Sequence, residues 1–313
     1  MIISTKRKRT LRERASCYPR ANLLTTLRTW AKMLRSKIQV FEIRIVIVLL
    51  VIATIVCYNV IHVKRSTPAY SEYWKNKGEV TASTAAENLP KSGRLFCWVL
   101  TGEAYYNIRV PAVNATWLKR CDHGEFFVTS PLSDNSIPYR TIFAGMDDSY
   151  GQLFYKTIEG FWYAYHEISK DFDWYFKADD DTYLMVDNLK DLLKHFDPEK
   201  PYYIGYLWDH ATYGRYHSGG SGYALSKAAL KLFVEHAYRN PDICPFDANE
   251  DAGLARCLRN LGIEAYHSEK VQETFVPLKT DDFQLNSSLV SIHYRTPAEM
   301  HILDKYFYNK QNN

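Results

Sequence analysis

The spacing of apolar and polar positions changes several times along this chain, and each change predicts an element. The first sustained apolar stretch is "IVIVLLVIATIVCYNVI", residues 45–61, with no charged residue in it. As a helix rising roughly 1.5 Å per residue it spans about 25 Å, close to the roughly 30 Å hydrocarbon core of a bilayer. Phe41, Ile43 and Val63 extend it, and Arg44 and Lys64 can snorkel at its ends. The run begins past residue 40 and does not end in small residues. It therefore reads as an uncleaved transmembrane anchor over 45–63 rather than a cleaved signal peptide or a buried core helix.

Residues 64–94 are polar, without a sustained apolar period, and read as a stem or linker. The pattern changes at residue 95. "RLFCWVLTG" is a buried-strand run ending in Thr101 and Gly102, "IRVPAVNATWLKRC" contains a short helix, and "GEFFVTS" is a second strand. Phe154, Ile158, Phe161, Tyr165 and Ile168 recur at steps of four and three, one face of a helix. The strand "DWYFKA" follows, then the helix "VDNLKDLLKHF" and the strand "YYIGYLW". "SKAALKLFVEHAYRN" predicts a helix capped by Ser226. "DANEDAGLARCLRNLG" predicts another, with Asp247 as N-cap and Gly262 as its stop, before a strand at "IEAYH". Strands alternating with helices predict an α/β domain with a mostly parallel sheet over 95–313.

Charge changes the picture at the N-terminus. The 313 residues carry a net +4, but the basic residues cluster before the apolar run, in "KRKR" at 6–9 and a scatter from Arg12 to Arg44. Without that arm, 1–44, the remainder is acidic. A nucleic-acid role for the arm is set aside because the apolar run follows it directly. Positive charge before the run orients a single-pass type II protein, arm in the cytoplasm and the rest in the lumen. The short span favours a thin early-secretory or Golgi membrane.

A lumenal domain is in a compartment where disulfides form. Cys17 falls in the arm and Cys57 in the anchor, leaving Cys97, Cys121, Cys244 and Cys257. They lack C-x-x-C spacing, which argues against zinc. Of the three connectivities, pairing in sequence order, Cys97–Cys121 and Cys244–Cys257, is the expected one. Sequons at Asn114 and Asn286 also lie on the lumenal side.

Candidate chemistry begins at "WYFKADDDTYLMV", where Asp179, Asp180 and Asp181 follow a strand. Ligands of open parallel sheets bind at the carboxyl ends of strands. Three adjacent carboxylates repel one another unless a cation sits among them, and Mg²⁺ or Mn²⁺ would bridge them to a phosphate. A solvated acidic turn, or charges at a helix start, fits the same residues. "SGGSGY" lacks the G-x-G-x-x-G spacing of a dinucleotide site; it fits a tight turn or a close backbone approach. Glu250 and Asp251 in "NEDAGLARC" stand at a helix start, where acids also serve the dipole.

"FKADDDTY", "DNL", "SGGSGYALSKAAL", "NEDAGLARCL" and "SIHYRTPAEM" occur in this order. Together they resemble the β-1,3-galactosyltransferase superfamily that includes fringe, and within it the core 1 synthase branch, over roughly residues 95–308. The resemblance implies a glycosyltransferase-A-type, Rossmann-like fold. It also implies a Mn²⁺-dependent, inverting transfer of galactose from UDP-galactose to the 3-hydroxyl of GalNAc O-linked to glycoproteins. Carried over residue by residue, Asp179, Asp181 and His293 hold the metal, and Asp180 lies nearer the sugar or ribose. Tyr294 sits beside the nucleotide, Leu100 and Thr101 hold the uridine, Gly220 lets backbone approach the donor, and Asp251 is the general base. Implied partners are glycoprotein acceptors and the UDP-sugar, in a membrane-anchored protein that a homodimer would also suit.

One segment departs from that branch. Between Leu278 and Ser291 stand only twelve residues, "KTDDFQLNSSLV", where the branch carries a longer, aromatic-rich segment with extra cysteines. A family member making another β-1,3 linkage is the alternative within the class. A non-catalytic lumenal lectin or chaperone is the alternative outside it, and the retained triplet, Asp251 and His293 speak for an enzyme.

Overall fold

A computed structural model describes residues 25–35, 44–54, 77–279 and 285–308. The chain divides into two units, Met1–Thr67 and Pro68–Asn313. In the first, residues 25–35 and 44–54 are helical. Among the described residues no helix is long and apolar enough to cross a membrane. The rest of the expected anchor, 55–63, lies outside the described residues, as do 1–24 and 36–43 of the arm and 64–76 of the stem.

In the second unit the strands are β1 (Ser92–Leu100), β2 (His123–Phe127), β3 (Tyr139–Arg140), β4 (Asp171–Asp179), β5 (Tyr183–Leu184), β6 (Tyr203–Gly205), β7 (Leu207–His210), β8 (Gly214–His217), β9 (Tyr223–Ser226), β10 (Phe275–Val276) and β11 (Ser291–Ile292). The main helices are α1 (Val110–Ala115), α2 (Leu153–Tyr163), α3 (Val186–Leu193), α4 (Lys227–Leu232), α5 (Glu250–Asn260) and α6 (Pro297–Tyr308). A six-stranded sheet has the order β3-β2-β1-β4-β9-β6. β3, β2, β1 and β4 are mutually parallel, and β9 runs against both β4 and β6. The expected mostly parallel α/β architecture is present.

β1 and β4 read as near-continuous apolar runs because both faces of the sheet are covered. Phe96, Trp98 and Leu100 join one core with Phe154, Ile158, Leu254 and Leu258 of α2 and α5. Leu95, Cys97 and Val99 join the other with Val110, Leu189 and Met300 of α1, α3 and α6. Both disulfides pair in sequence order, Cys97–Cys121 and Cys244–Cys257. Packing onto this unit begins before Leu95: the Gly78 amide donates to the Ala144 carbonyl at 2.7 Å, and Ala82 bridges Arg140.

Several local expectations change. "YYIGYLW" is not one strand: β6 ends at Gly205 in the main sheet, and β7, from Leu207, pairs with β8 in a separate two-stranded sheet. "IEAYH" is not a strand: Ala265 alone bridges Tyr203, because the segment runs beside the three-residue β6 for a single pair. α5 starts at Glu250 after Asn249, not after Asp247. Asp247 instead accepts the Asn249 amide at 2.9 Å and pairs with Arg256. The helical face over 150–169 closes α2 at Tyr163 and continues as a wider turn over Ala164–Ile168. Gly262, with φ +77°, ends α5 as its sequence position predicts.

Candidate active site

Register sets the floor of the site. Leu100 pairs with Asp179, so β1 and β4 end side by side at their carboxyl ends. Beyond them lies a cleft of about 650 Å³, within the range of small-molecule sites. It is lined by every residue expected from sequence: Leu100, Thr101, Asp179, Asp180, Asp181, Gly220, Asp251, His293 and Tyr294.

His293 is 112 positions from Asp181 in sequence (293 − 181), and two short strands join them. β11 pairs antiparallel with β5, which follows the aspartates at once: Ser291 lies opposite Leu184 and Ile292 opposite Tyr183. The Arg295 amide then donates to the Asp181 carbonyl at 2.8 Å. Imidazole Nε2 of His293 stands 3.3 Å from Asp181 Oδ1. Its Nδ1 lies 3.2 Å from the Pro277 carbonyl, which can only accept, so Nδ1 carries the hydrogen. In the neutral ring Nε2 therefore keeps its lone pair toward the aspartates, the orientation that metal-ligating histidines take.

Asp179, Asp181 and His293 each offer a ligand atom, all within 4.8 Å of one another. Two carboxylates and an imidazole suit a divalent ion that accepts oxygen and nitrogen together. Asp180 is engaged otherwise. Its Oδ2 accepts the Thr101 hydroxyl at 2.7 Å and its Oδ1 accepts Arg109 Nη1 at 2.6 Å. Burial pushes the Asp180 carboxyl up to about 6 against both of those contacts. Asp181 is half-buried, and desolvation pulls its pKa up, but the His293 contact and the Arg109 charge, 3.4 Å away, outweigh that and hold it below the ordinary value.

The "SGGSGY" loop is stitched between the two halves. Thr182 donates its hydroxyl to the Gly220 carbonyl at 2.6 Å, and Ser291 to that of Ser221 at the same distance. Gly220 abuts the His293 ring, and Gly219 abuts Glu250, where an added Cβ would stand 2.5 Å from Oε2. The Gly219 amide donates to Asp251 Oδ2 at 3.0 Å, and the Ala252 amide to Oδ1 at 2.8 Å. Burial raises the Asp251 pKa, against those two amides. A carboxylate so placed is a stronger base than a free aspartate.

Several cleft residues escaped the sequence reading. Lys177 is 1% exposed; its ammonium lies 2.6 Å from Asp179 Oδ1 and 3.5 Å from Glu250 Oε2. Burial alone would lower its pKa, but Asp179 and Glu250 outweigh that and raise it, so it is charged. Glu250 is held between Lys177 and the Tyr223 hydroxyl. Lys177 had a signal: it stands two positions before Asp179, on the same strand face, in an otherwise apolar run. Arg109, stacked 3.9 Å over Tyr105, had none, lying 71 positions before Asp180. Tyr294 takes a left-handed φ of 58° and stacks on His293 with centroids 3.7 Å apart.

Over residues 91–311 the sequence matches the Fringe-like family. The chain belongs to the Fringe-like family. That family is one of glycosyltransferases, so the chain is a glycosyltransferase. Over 255 residues the chain is 29% identical to glycoprotein-N-acetylgalactosamine 3-beta-galactosyltransferase 1 of Xenopus laevis, covering 72% of this chain and 69% of that protein. It is 26% identical to chondroitin sulfate synthase 3 of Homo sapiens, covering 64% of this chain and 24% of that one. Beta-1,3-glucosyltransferase of Mus musculus is also 26% identical, with 65% and 41% covered. The chain thus spans less than half the length of the last two relatives.

Proposed function

We propose that this Fringe-like glycosyltransferase transfers galactose from UDP-galactose, with inversion and Mn²⁺ dependence, to the 3-hydroxyl of GalNAc O-linked to Ser or Thr of glycoproteins. One observation carries the reading: the Gly219–Gly220 turn has the Asp251 carboxylate on one neighbour and the Asp179–Asp181–His293 donor set on the other. A base and a cation seat are thereby brought to one cleft, as displacement of a nucleoside diphosphate by a hydroxyl requires.

In this reading the acceptor oxygen forms a bond to the anomeric carbon of galactose while the bond from that carbon to the UDP oxygen breaks. UDP leaves with the electron pair, and the hydroxyl proton passes to Asp251. The two amides on Asp251 fix its carboxylate plane and still leave each oxygen a lone pair to accept the proton. A divalent ion held by Asp179, Asp181 and His293 would supply positive charge for the departing diphosphate. Thr101 and Arg109 keep Asp180 turned toward the donor side of the cleft, where Leu100, Thr101 and Tyr294 would meet the nucleotide. Residues 45–63 are proposed as the type II anchor between the cytoplasmic arm 1–44 and the stem 64–94, with the catalytic domain 95–313 in the Golgi lumen.

The test is a donor and acceptor screen on purified protein with and without Mn²⁺. Transfer from UDP-galactose to a GalNAc-Ser or GalNAc-Thr peptide, abolished by chelation, is expected. Absence of that product with every donor would overturn the proposal. The twelve residues between Leu278 and Ser291 favour a second reading, another β-1,3 transfer with a different acceptor, which the same screen would reveal.

A further inference from the structure

The helical residues 25–35, "TTLRTWAKMLR", carry three basic residues and no acidic one. Wound at 3.6 residues per turn, most of them sort into an apolar and a basic arc. Trp30, Leu34, Leu27 and Ala31 follow one another on one arc, with Thr26 and then Met33 at its edge. Arg35, Arg28 and Lys32 occupy the adjoining arc, and Thr25 and Thr29 lie beyond it. The apolar arc is open to solvent: Leu27 and Trp30 are each 57% exposed, Leu34 55% and Met33 42%.

An open apolar arc bordered by cations matches the cross-section of a phospholipid surface, apolar below and anionic at headgroup level. A helix that serves nucleic acid needs its cations but no tryptophan–leucine stripe beside them. Trp is at home at the headgroup boundary, and Arg and Lys stems lie along apolar surface while their heads reach phosphate. Arg35 stands ten positions before Ile45, where the uncharged apolar run begins, so a bilayer is the apolar phase nearest in sequence.

We propose that residues 25–35 lie in the plane of an anionic phospholipid surface, with Leu27, Trp30 and Leu34 sunk at the headgroup–acyl boundary and Arg28, Lys32 and Arg35 on lipid phosphates. This goes beyond the transfer reaction and does not depend on it. It would also tether the arm beside the proposed anchor.

The experiment uses the full chain with Cys17→Ser and Cys57→Ser, reconstituted with vesicles of phosphatidylcholine and phosphatidylserine. Single nitroxide labels are placed through Leu27→Cys, Trp30→Cys, Leu34→Cys or Thr29→Cys. Collision with lipid-soluble oxygen, relative to a water-soluble nickel chelate, should be high at 27, 30 and 34 and low at 29. It should fall at 27, 30 and 34 in pure phosphatidylcholine, or with Arg28→Glu, Lys32→Glu and Arg35→Glu combined. Equal, water-like ratios at all four sites would overturn the proposal. So would insensitivity to lipid charge, or protection of the same positions when a nucleic-acid duplex replaces the vesicles. A label through Val48→Cys reads the anchor separately: lipid contact at 48 with water at 27, 30 and 34 sinks this helix and spares the anchor. The reverse pattern does the opposite.

Discussion

Gly220 and His293 meet backbone to ring: a Cβ at position 220 would stand 1.9 Å from His293 Cε1 and 2.3 Å from Nε2. No flexible chain end is there to yield, since the ring is held by the Pro277 carbonyl and by the β5–β11 pairing. Gly220→Ala should therefore push the imidazole away from Asp179 and Asp181. Titration calorimetry of UDP with Mn²⁺ should show metal-dependent affinity lost, at a stability cost of about 1–3 kcal/mol for the overpacking. Unchanged affinity would separate His293 from the metal. His293→Ala and Asp181→Ala should give the same loss without the overpacking.

Asp251→Asn keeps the size, but its single carbonyl oxygen can accept from only one of the Gly219 and Ala252 amides, and it cannot accept the acceptor proton. Turnover should fall roughly 10²–10⁴-fold. UDP affinity should stay near wild type, since Asp251 is not among the candidate ligands. Glu250→Gln should act less on turnover, because Glu250 is taken up by Tyr223 and Lys177. A larger effect at 250 than at 251 would exchange their roles.

The same burial gives a pH signature with opposite signs in rate and stability. The folded-state pKa of Asp251 is raised, so the folded chain binds this proton more tightly than the unfolded one. Its contribution to stability grows as pH falls through the raised value, and at neutral pH the charged form weakens the fold. Turnover runs the other way: the base is lost as pH falls, with an acid limb above the roughly 3.9 of a free aspartate. Relative to Asp251→Asn, which does not titrate, the wild type should hence gain melting temperature as pH falls toward the raised value, while Asn removes turnover at every pH. A wild-type melting temperature that instead drops relative to that of Asp251→Asn as pH falls would contradict the burial argument.

Lys177→Met leaves Glu250 buried without its cation. Removing one partner of a buried pair costs about 3–5 kcal/mol. Asp179, a third exposed, can turn to water and contributes little to that loss. Urea unfolding of the single variant and of Lys177→Met with Glu250→Gln tests the pairing. The double variant should recover a large part of the loss, and simple additivity would mean that the two do not interact.

Cys244 and Cys257 close a loop of sequence separation 13, beside the start of α5. Replacing both by alanine should cost about 3 kcal/mol and lower the melting temperature. Because α5 carries Glu250 and Asp251 at its first positions, turnover should fall with it even below the new melting temperature. Peptide mapping without reductant checks the pairing, and a mixed connectivity would contradict it.

What was legible in the sequence is what periodicity and short-range chemistry encode. β1 and β4 announced themselves as apolar runs because they are covered on both faces, and α5 because its stop is a glycine that alone tolerates φ +77°. The triplet at the end of β4 was legible as a place for charge, because apolar strand stops there and acid begins. Asp247 is not the cap its position predicts, since Asp, Asn and Ser compete for that position and only the path of the preceding turn selects Asn249.

The sequence by itself determined the α/β class, the strand that ends in carboxylates, and the residue types for a cation seat and a base. Tertiary structure alone decided which atoms meet. The two-residue β5–β11 ladder, far too short for any periodic signal, brings His293 to Asp181. Arg109 gained Asp180, and Lys177 gained Glu250, in the same way. Charge pairing across 71 or 112 positions leaves no trace in local spacing, because contact energy depends on distance in space and side-chain period only on neighbours along the chain.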